Sequence, residues 1–277
     1  MNPLWVIQTL AVIRLEIKKT FFSRRGFWIY MLALGPVILF AGHSIFVMRT
    51  HEPCDFGNDT NIFATTFQIF FLRLAVFFGC VGVFMNLFRG EVLAKSLHYY
   101  FLAPIRREVL LAGKFLAGLI ATCVIFTTSA ALQIAGMYWH HKWSVVQDYL
   151  VSGNGITHIL SYLTATVLAC IGYGSIFLAA GVVFRNPLIP AGVILVWESI
   201  NSFLPSMLQK FSVIYYLKSL CPIQVDPHAG SFFSLLSINV NPMPAYIAIP
   251  GLLVLAAVVL LVASYQVRRM EINYATD

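Results

Sequence analysis

Six apolar runs alternate with short polar segments along the chain. Residues 27–48, 63–88, 109–138, 155–184, 187–205 and 245–265 are each close to the roughly 20 residues that an α-helix needs to cross a bilayer, so six membrane-spanning helices are predicted. Ahead of the first run, Val6, Leu10, Ile13, Ile17 and Phe21 recur at three- and four-residue spacing, with Arg14 and Lys18 on an adjacent face. That pattern predicts an amphipathic helix over residues 3–23 lying at the membrane surface; a short buried helix packed on the spans is the alternative. Between the second and third runs, Val92, Leu93, Leu97, Tyr100 and Phe101 keep a roughly helical spacing until Pro104 breaks it, which predicts a short helix in the polar segment 89–108. Residues 206–244 mix apolar pieces with Pro222, Pro227, Gly230, Pro242 and Pro244. Irregular backbone is not tolerated bare in lipid, so this segment is expected to form short interfacial or re-entrant helices, an outer-face cap. The fold class is an all-α membrane protein built as one transmembrane domain over residues 1–277.

Composition agrees. Apolar residues make up 59% and charged residues 10% of the chain, against roughly 45–50% and 25% in soluble domains. The net charge of +7 points to no nucleic-acid partner, because the basic residues flank apolar runs, where they act as topology signals beside membrane lipids. Arg14, Lys18, Lys19, Arg24 and Arg25 follow the first apolar residues and do not precede them, unlike the charges of a cleavable signal peptide. With the N-terminus inside, Arg89, Lys95, Arg106, Arg107, Lys114, Arg185, Arg268 and Arg269 join those five in cytoplasmic segments, and only Arg49, Lys142, Lys210 and Lys218 fall outside. The positive-inside rule selects this orientation, with both termini cytoplasmic. No G-x-x-x-x-G-K-[ST] run occurs, so the chain has no phosphate cradle of that kind and any ATP chemistry belongs to another chain. H-E-x-x-H and G-x-S-x-G are also absent, and with them the usual signatures of an intramembrane enzyme.

The stretch from Phe88 to Lys114, FRGEVLAKSLHYYFLAPIRREVLLAGK, is a charged and aromatic island between two long spans. Arg89-Gly90-Glu91, the polar and aromatic helix, Ala103-Pro104-Ile105-Arg106-Arg107 and Gly113-Lys114 together resemble the coupling region of type-2 ABC exporter permeases. The resemblance extends over nearly the whole chain as an arrangement of helices, but only the loop carries a specific motif. It implies that the short helix sits in a cleft of a nucleotide-binding subunit, with Arg89, Glu91, Lys95, Ser96, His98, Tyr99, Tyr100, Pro104, Arg106 and Arg107 as the ATPase-coupling residues. It also implies two ABC ATPase subunits and a second permease copy or homologous permease as partners, in a plasma (inner) membrane. This chain would bind no cofactor and catalyse nothing; ATP and Mg would be held by the partner subunit. A basic loop that merely fixes topology is the plainer reading, and an ion-coupled secondary carrier or channel is the functional alternative, although carriers usually hold more intramembrane acids or histidines.

Two ionisable residues lie inside predicted spans. Arg73 and Glu198 approach mid-membrane depth from opposite directions, and an unpaired charge there costs about 2.5–3.5 kcal/mol on insertion scales, so pairing is the cheaper arrangement. Asn201 and Ser202 extend a polar stripe from Glu198. In the resembling family the second and fifth spans border the translocation route, which makes Arg73, Glu198, Asn201 and Ser202 either path residues or an intramembrane ion pair with its neighbours. Phe70, Phe77 and Trp197 are candidates for an apolar gate, although aromatic residues in membranes more often serve packing and interface anchoring. His43 and His158 look too isolated for a metal site, which needs several convergent ligands, and none is expected. Cys80, Cys123 and Cys170 fall in spans as small apolar residues, whereas Cys54 and Cys221 lie in outer segments where oxidising conditions could join them. Asn58-Asp59-Thr60 matches a glycosylation sequon in the same outer loop.

Overall fold

Without water to satisfy backbone N–H and C=O groups, an apolar chain meets that need within helices. The computed structural model describes residues 3–22, 24–50, 55–93, 105–184, 186, 188–223 and 243–269, and no strand occurs among the described residues. The helices among the described residues are α1 (Pro3–Phe22), α2 (Arg24–Thr50), α3 (residues 56–93), α4 (Arg107–Tyr138), α5 (Trp143–Val151), α6 (Gly155–Val183), α7 (Leu188–Ile200), the single turn α8 (Ser206–Gln209), α9 (Val213–Leu220) and α10 (Ala245–Arg269).

Among the described residues, five helical stretches are long and apolar enough to cross a membrane: Gly26–Thr50, Phe56–Glu91, Arg107–Tyr138, Gly155–Val183 and Ala245–Arg269. The run at 187–205 behaves differently. It yields the 13-residue α7, about 20 Å long at 1.5 Å per residue, followed by a 3-10 turn at Asn201–Phe203 and a break before Pro205. That length falls short of a hydrocarbon core about 30 Å thick. The chain then turns back, and α9 is buried against α6 and α10 through Val213, Ile214 and Leu217.

Helix α3 departs from α geometry. Phe67–Val76 and Val81–Met85 are π-helical, separated by one α turn at Phe77–Cys80. An α-helix carries one face forward at alternating three- and four-residue steps. Here the less buried positions between Phe67 and Cys80 are Phe70, Leu74 and Phe78, a step of four, after which Val81, Gly82, Asn86, Arg89 and Gly90 share the less buried side. The wider winding also aligns a buried aromatic column, with Phe63 and Phe67 ring centroids 5.6 Å apart and Phe67 and Phe71 centroids 5.1 Å apart.

Around α3, α4 packs on α2 and α6, and α6 packs on α10. The small residues of α6 lie where α3 comes closest. A Cβ at Gly174 would stand 2.6 Å from Phe84, and one at Gly181 only 2.8 Å from the Met85 carbonyl oxygen. The second neighbour is backbone, which has no rotamer to yield. Gly181→Leu is therefore expected to lower stability by about 1–3 kcal/mol through overpacking, read as a lower thermal midpoint in detergent. Gly192→Leu, at a glycine whose Cβ would meet nothing within 4 Å, should leave the midpoint in place.

A helix, α1, spans Pro3–Phe22 where the amphipathic helix is predicted, and Val6 and Leu10 of its apolar face do not join the bundle. Among its described side chains Val12 and Glu16 are buried, and Val12 meets Gly113 of α4, where a Cβ would come within 3.0 Å. Val6 and Leu10, expected on the embedded face, are exposed. Glu16 and Lys114 decide this orientation, as their contacts below show.

Candidate functional site

Segment 94–104, which holds Lys95, Ser96, His98, Tyr99, Tyr100 and Pro104, lies outside the described residues; its two bases do not. Glu91, near the end of α3, and Lys114, in the second turn of α4, face one another with N–O separation 2.8 Å. Lys114 also donates to Glu16 of α1 at 2.6 Å and to the Leu87 carbonyl at 2.9 Å, with its ammonium 5.4 Å from the Phe88 ring centroid. All three charged side chains are buried. Lys19, half exposed, completes the cluster at 3.2 Å from Glu91. Two carboxylates and two ammonium groups thus balance. Burial pushes the Glu16 carboxyl above its ordinary range, against the opposing pull of Lys114.

The residues after the segment are also engaged. Arg106 lies over the Trp5 ring at 4.7 Å, Arg107 donates to the Val267 and Arg268 carbonyls at 3.3 and 2.9 Å, and Glu108 pairs with Arg268. Arg107 therefore sits at the carbonyl end of α10, where a cation complements the helix dipole. Of the predicted coupling residues, Glu91 is a buried strut, Arg106 and Arg107 tie the segment to α1 and α10, and Arg89 is half-buried. The sequence reading of Glu91 as part of a docking surface gives way to a role inside the protein, because only 1% of its side chain is exposed.

Arg73 and Glu198 do come together, although not as a simple ion pair. Arg73 donates from Nη2 to the Glu198 backbone carbonyl at 3.4 Å. The Glu198 carboxylate instead accepts from Ser212 Oγ at 2.7 Å, from Val213 N at 2.9 Å and from Ile214 N at 3.0 Å. It caps the N-terminus of α9, satisfying amides that have no partner within the helix. Asn201 is buried and donates to the Gln209 carbonyl at 3.3 Å; the Ser202 side chain is outside the described residues. Gln68 donates to the Ile223 carbonyl at 2.7 Å and so pins the end of the returning segment to α3. Sequence counting places Lys218 in an outer loop, but α9 buries it, and burial together with Arg73 lowers its ammonium to about 7. Arg73, Glu198 and Asn201 are each at most 4% exposed.

The proposed gate residues separate. Phe77 is fully buried against Phe177 at a centroid distance of 4.9 Å, Trp197 is half-buried and Phe70 is 42% exposed. The cause is the four-residue step of α3. In an α-helix Phe70, Leu74 and Phe77 would share a stripe, whereas here the stripe passes to Phe78. Cys221 is a free buried thiol that donates to the Leu217 carbonyl, and Cys54 lies outside the described residues. An apolar groove of about 320 Å³ opens between α6, α7 and α10, lined by Ile176, Ala180, Val183, Ile189, Val193 and Val259.

At the opposite end of the bundle from Lys114, the histidines are not isolated. His140 and His141, in the turn after α4, each place Nε2 2.9 Å from Asp59 Oδ2, and His43 of α2 places Nε2 3.7 Å from Asp59 Oδ1. These residues are dispersed over nearly 100 positions, and no local spacing signals that they meet. His158 instead bonds the Tyr149 hydroxyl at 2.7 Å. Thr60, the third residue of the sequon, is buried in α3 and donates to the Phe56 carbonyl.

No protein-family model matches the sequence, and no curated protein matches it.

Proposed function

We propose that the chain is the membrane-spanning permease subunit of an ATP-binding-cassette exporter, worked by a separate ATPase subunit. The observation that carries this reading is the clamp at the base of segment 94–104. One buried lysine joins the end of α3, the start of α4 and the surface helix α1. A force applied to the segment between Glu91 and Lys114 would reach three helices as one body, because none can shift without parting a buried ion pair. That is the mechanical property a coupling loop needs, and a loop that only fixed topology would not need it.

In this reading the layout is six crossings with both termini cytoplasmic; α7 and its 3-10 extension supply the short fifth crossing, and α8 and α9 form the re-entrant cap. The fifth crossing carries the exposed stripe Ile189, Val193, Val196 and Ile200, which suits it to lie against a second permease copy. A carrier reading draws on Arg73 and Glu198. Proton or ion exchange would require an acid with oxygens to offer, and the Glu198 oxygens already hold three donors at the end of α9.

The test is to purify the tagged chain from its host in mild detergent after cross-linking in cells. A P-loop ATPase is expected among the cross-linked partners by mass spectrometry, with cross-links from segment 94–104. Recovery of the chain with no P-loop ATPase would overturn the proposal.

A further inference from the structure

We propose that His43, Asp59 and His140, with His141 against the same carboxylate, form a binding site for one divalent transition-metal ion, with the nitrogen and oxygen preference of zinc. The inference stands apart from the exporter reading. Its starting point is how the protons must be arranged. The Ser44 hydroxyl has one hydrogen, and it donates that hydrogen to the Gly136 carbonyl. Ser44 Oγ also lies 3.0 Å from His140 Nδ1, so at that contact it can only accept. His140 therefore carries a proton on Nδ1, and in the neutral ring its Nε2 presents a lone pair. That lone pair points at Asp59 Oδ2, 2.9 Å away.

Two lone pairs at that distance repel unless a cation lies between them. A proton is one such cation and a metal ion bound by the neutral ring is another. The His140 and His141 ring centroids are 4.1 Å apart and those of His43 and His140 are 5.8 Å apart, so three imidazole rings converge on a single carboxylate. That convergence of nitrogen donors is what a metal ion needs and a single proton does not. The His43 Nε2 atom, buried and without a hydrogen-bond partner, then has an occupation.

The geometry and outer contacts suit such an ion. Zinc bonds of about 2.0–2.2 Å place tetrahedral ligand atoms about 3.3 Å from one another. The ligand atoms of His43, Asp59 and His140 all lie within 4.8 Å of one another, and the two contacts to Asp59 bracket the ideal value at 2.9 and 3.7 Å. Metal-bound histidines characteristically give their second N–H to an acceptor that fixes the tautomer, as His140 does to Ser44. His43 keeps 33% of its side chain exposed. Ligands drawn from α2, α3 and the turn after α4 would tie three elements together at this end of the bundle.

The test uses the full chain in detergent, with its affinity tag removed and its metals stripped with a chelator. On dialysis against Zn²⁺, one ion per chain is expected by elemental analysis, with a rise in thermal midpoint. Co²⁺ should give the intense visible bands of a tetrahedral nitrogen and oxygen site. Asp59→Asn and His140→Ala should abolish both signals, and Ser44→Ala should weaken binding about 10- to 100-fold. Should those variants fail to fold, His43→Ala keeps the test decisive, since the imidazole nitrogen it removes holds no hydrogen bond and its loss must still weaken binding. Equal Zn²⁺ binding by the parent and His43→Ala chains would overturn the proposal. So would a midpoint that ignores Zn²⁺ and responds to pH alone, which would make the cluster an imidazolium–carboxylate group.

Discussion

Lys114→Met is expected to destabilise the protein by about 3–5 kcal/mol, the range for breaking a buried ion pair from one side. Methionine fills a similar volume, so packing alone would change little. What changes is charge: Glu16 and Glu91 would remain buried with their common ammonium gone and the Leu87 carbonyl without its donor. Lys19 cannot replace it, because it is half exposed and reaches Glu91 alone; Lys19→Ala should cost under about 1 kcal/mol, as exposed pairs do. Adding Glu16→Gln and Glu91→Gln to Lys114→Met removes the stranded charges and should recover a large part of the loss. Chemical unfolding in detergent, followed by tryptophan fluorescence, provides the measurement. If Lys114→Met proves as mild as Lys19→Ala, the cluster does not clamp α1, α3 and α4, and the coupling proposal loses its support.

The same lysine marks where sequence reading stops. Five of the six predicted runs are legible because a helix able to cross hydrocarbon must be long and apolar, and those runs coincide with five described helices of that kind. The existence of α1 is legible for the same reason, through its periodicity. The face on which it packs is not, because that face is chosen by a Glu16–Lys114 contact between residues 98 positions apart, a pairing that no local pattern encodes. Four-residue winding in α3 is likewise invisible to a reading that assumes 3.6 residues per turn, and it is what separates Phe70 from Phe77. His43, Asp59, His140 and His141 give the third case. Each sits on its own stretch of chain as an ordinary polar residue, and only the packing of α2, α3 and α4 brings their ring nitrogens to one carboxylate.

Exchanging the charges of Arg73 and Glu198 is expected to give no rescue: Arg73→Glu with Glu198→Arg should be no more stable than the worse single variant. Two residues paired only through their charges would tolerate reversal. Glu198, however, directs its carboxylate at Ser212 Oγ and the amides of Val213 and Ile214, all donors, at the positive end of α9. A guanidinium placed there can accept none of these hydrogen bonds and meets a like partial charge. Glu198→Ala strands the same three donors, and at roughly 1–3 kcal/mol for each buried unsatisfied group it should cost about 4 kcal/mol, whereas Glu198→Gln keeps one carbonyl acceptor and should lose less. The effect has a local reporter. Cys221, at the far end of α9, is 3% exposed, so a maleimide should label it slowly in the parent protein and quickly in Glu198→Ala, while Cys80, buried in α3, stays protected in both. Equal labelling of Cys221 in parent and variant would mean that α9 is held without its cap. Faster labelling of Cys80 as well would show that the whole bundle opens, and that Glu198 supports more than the helix it touches.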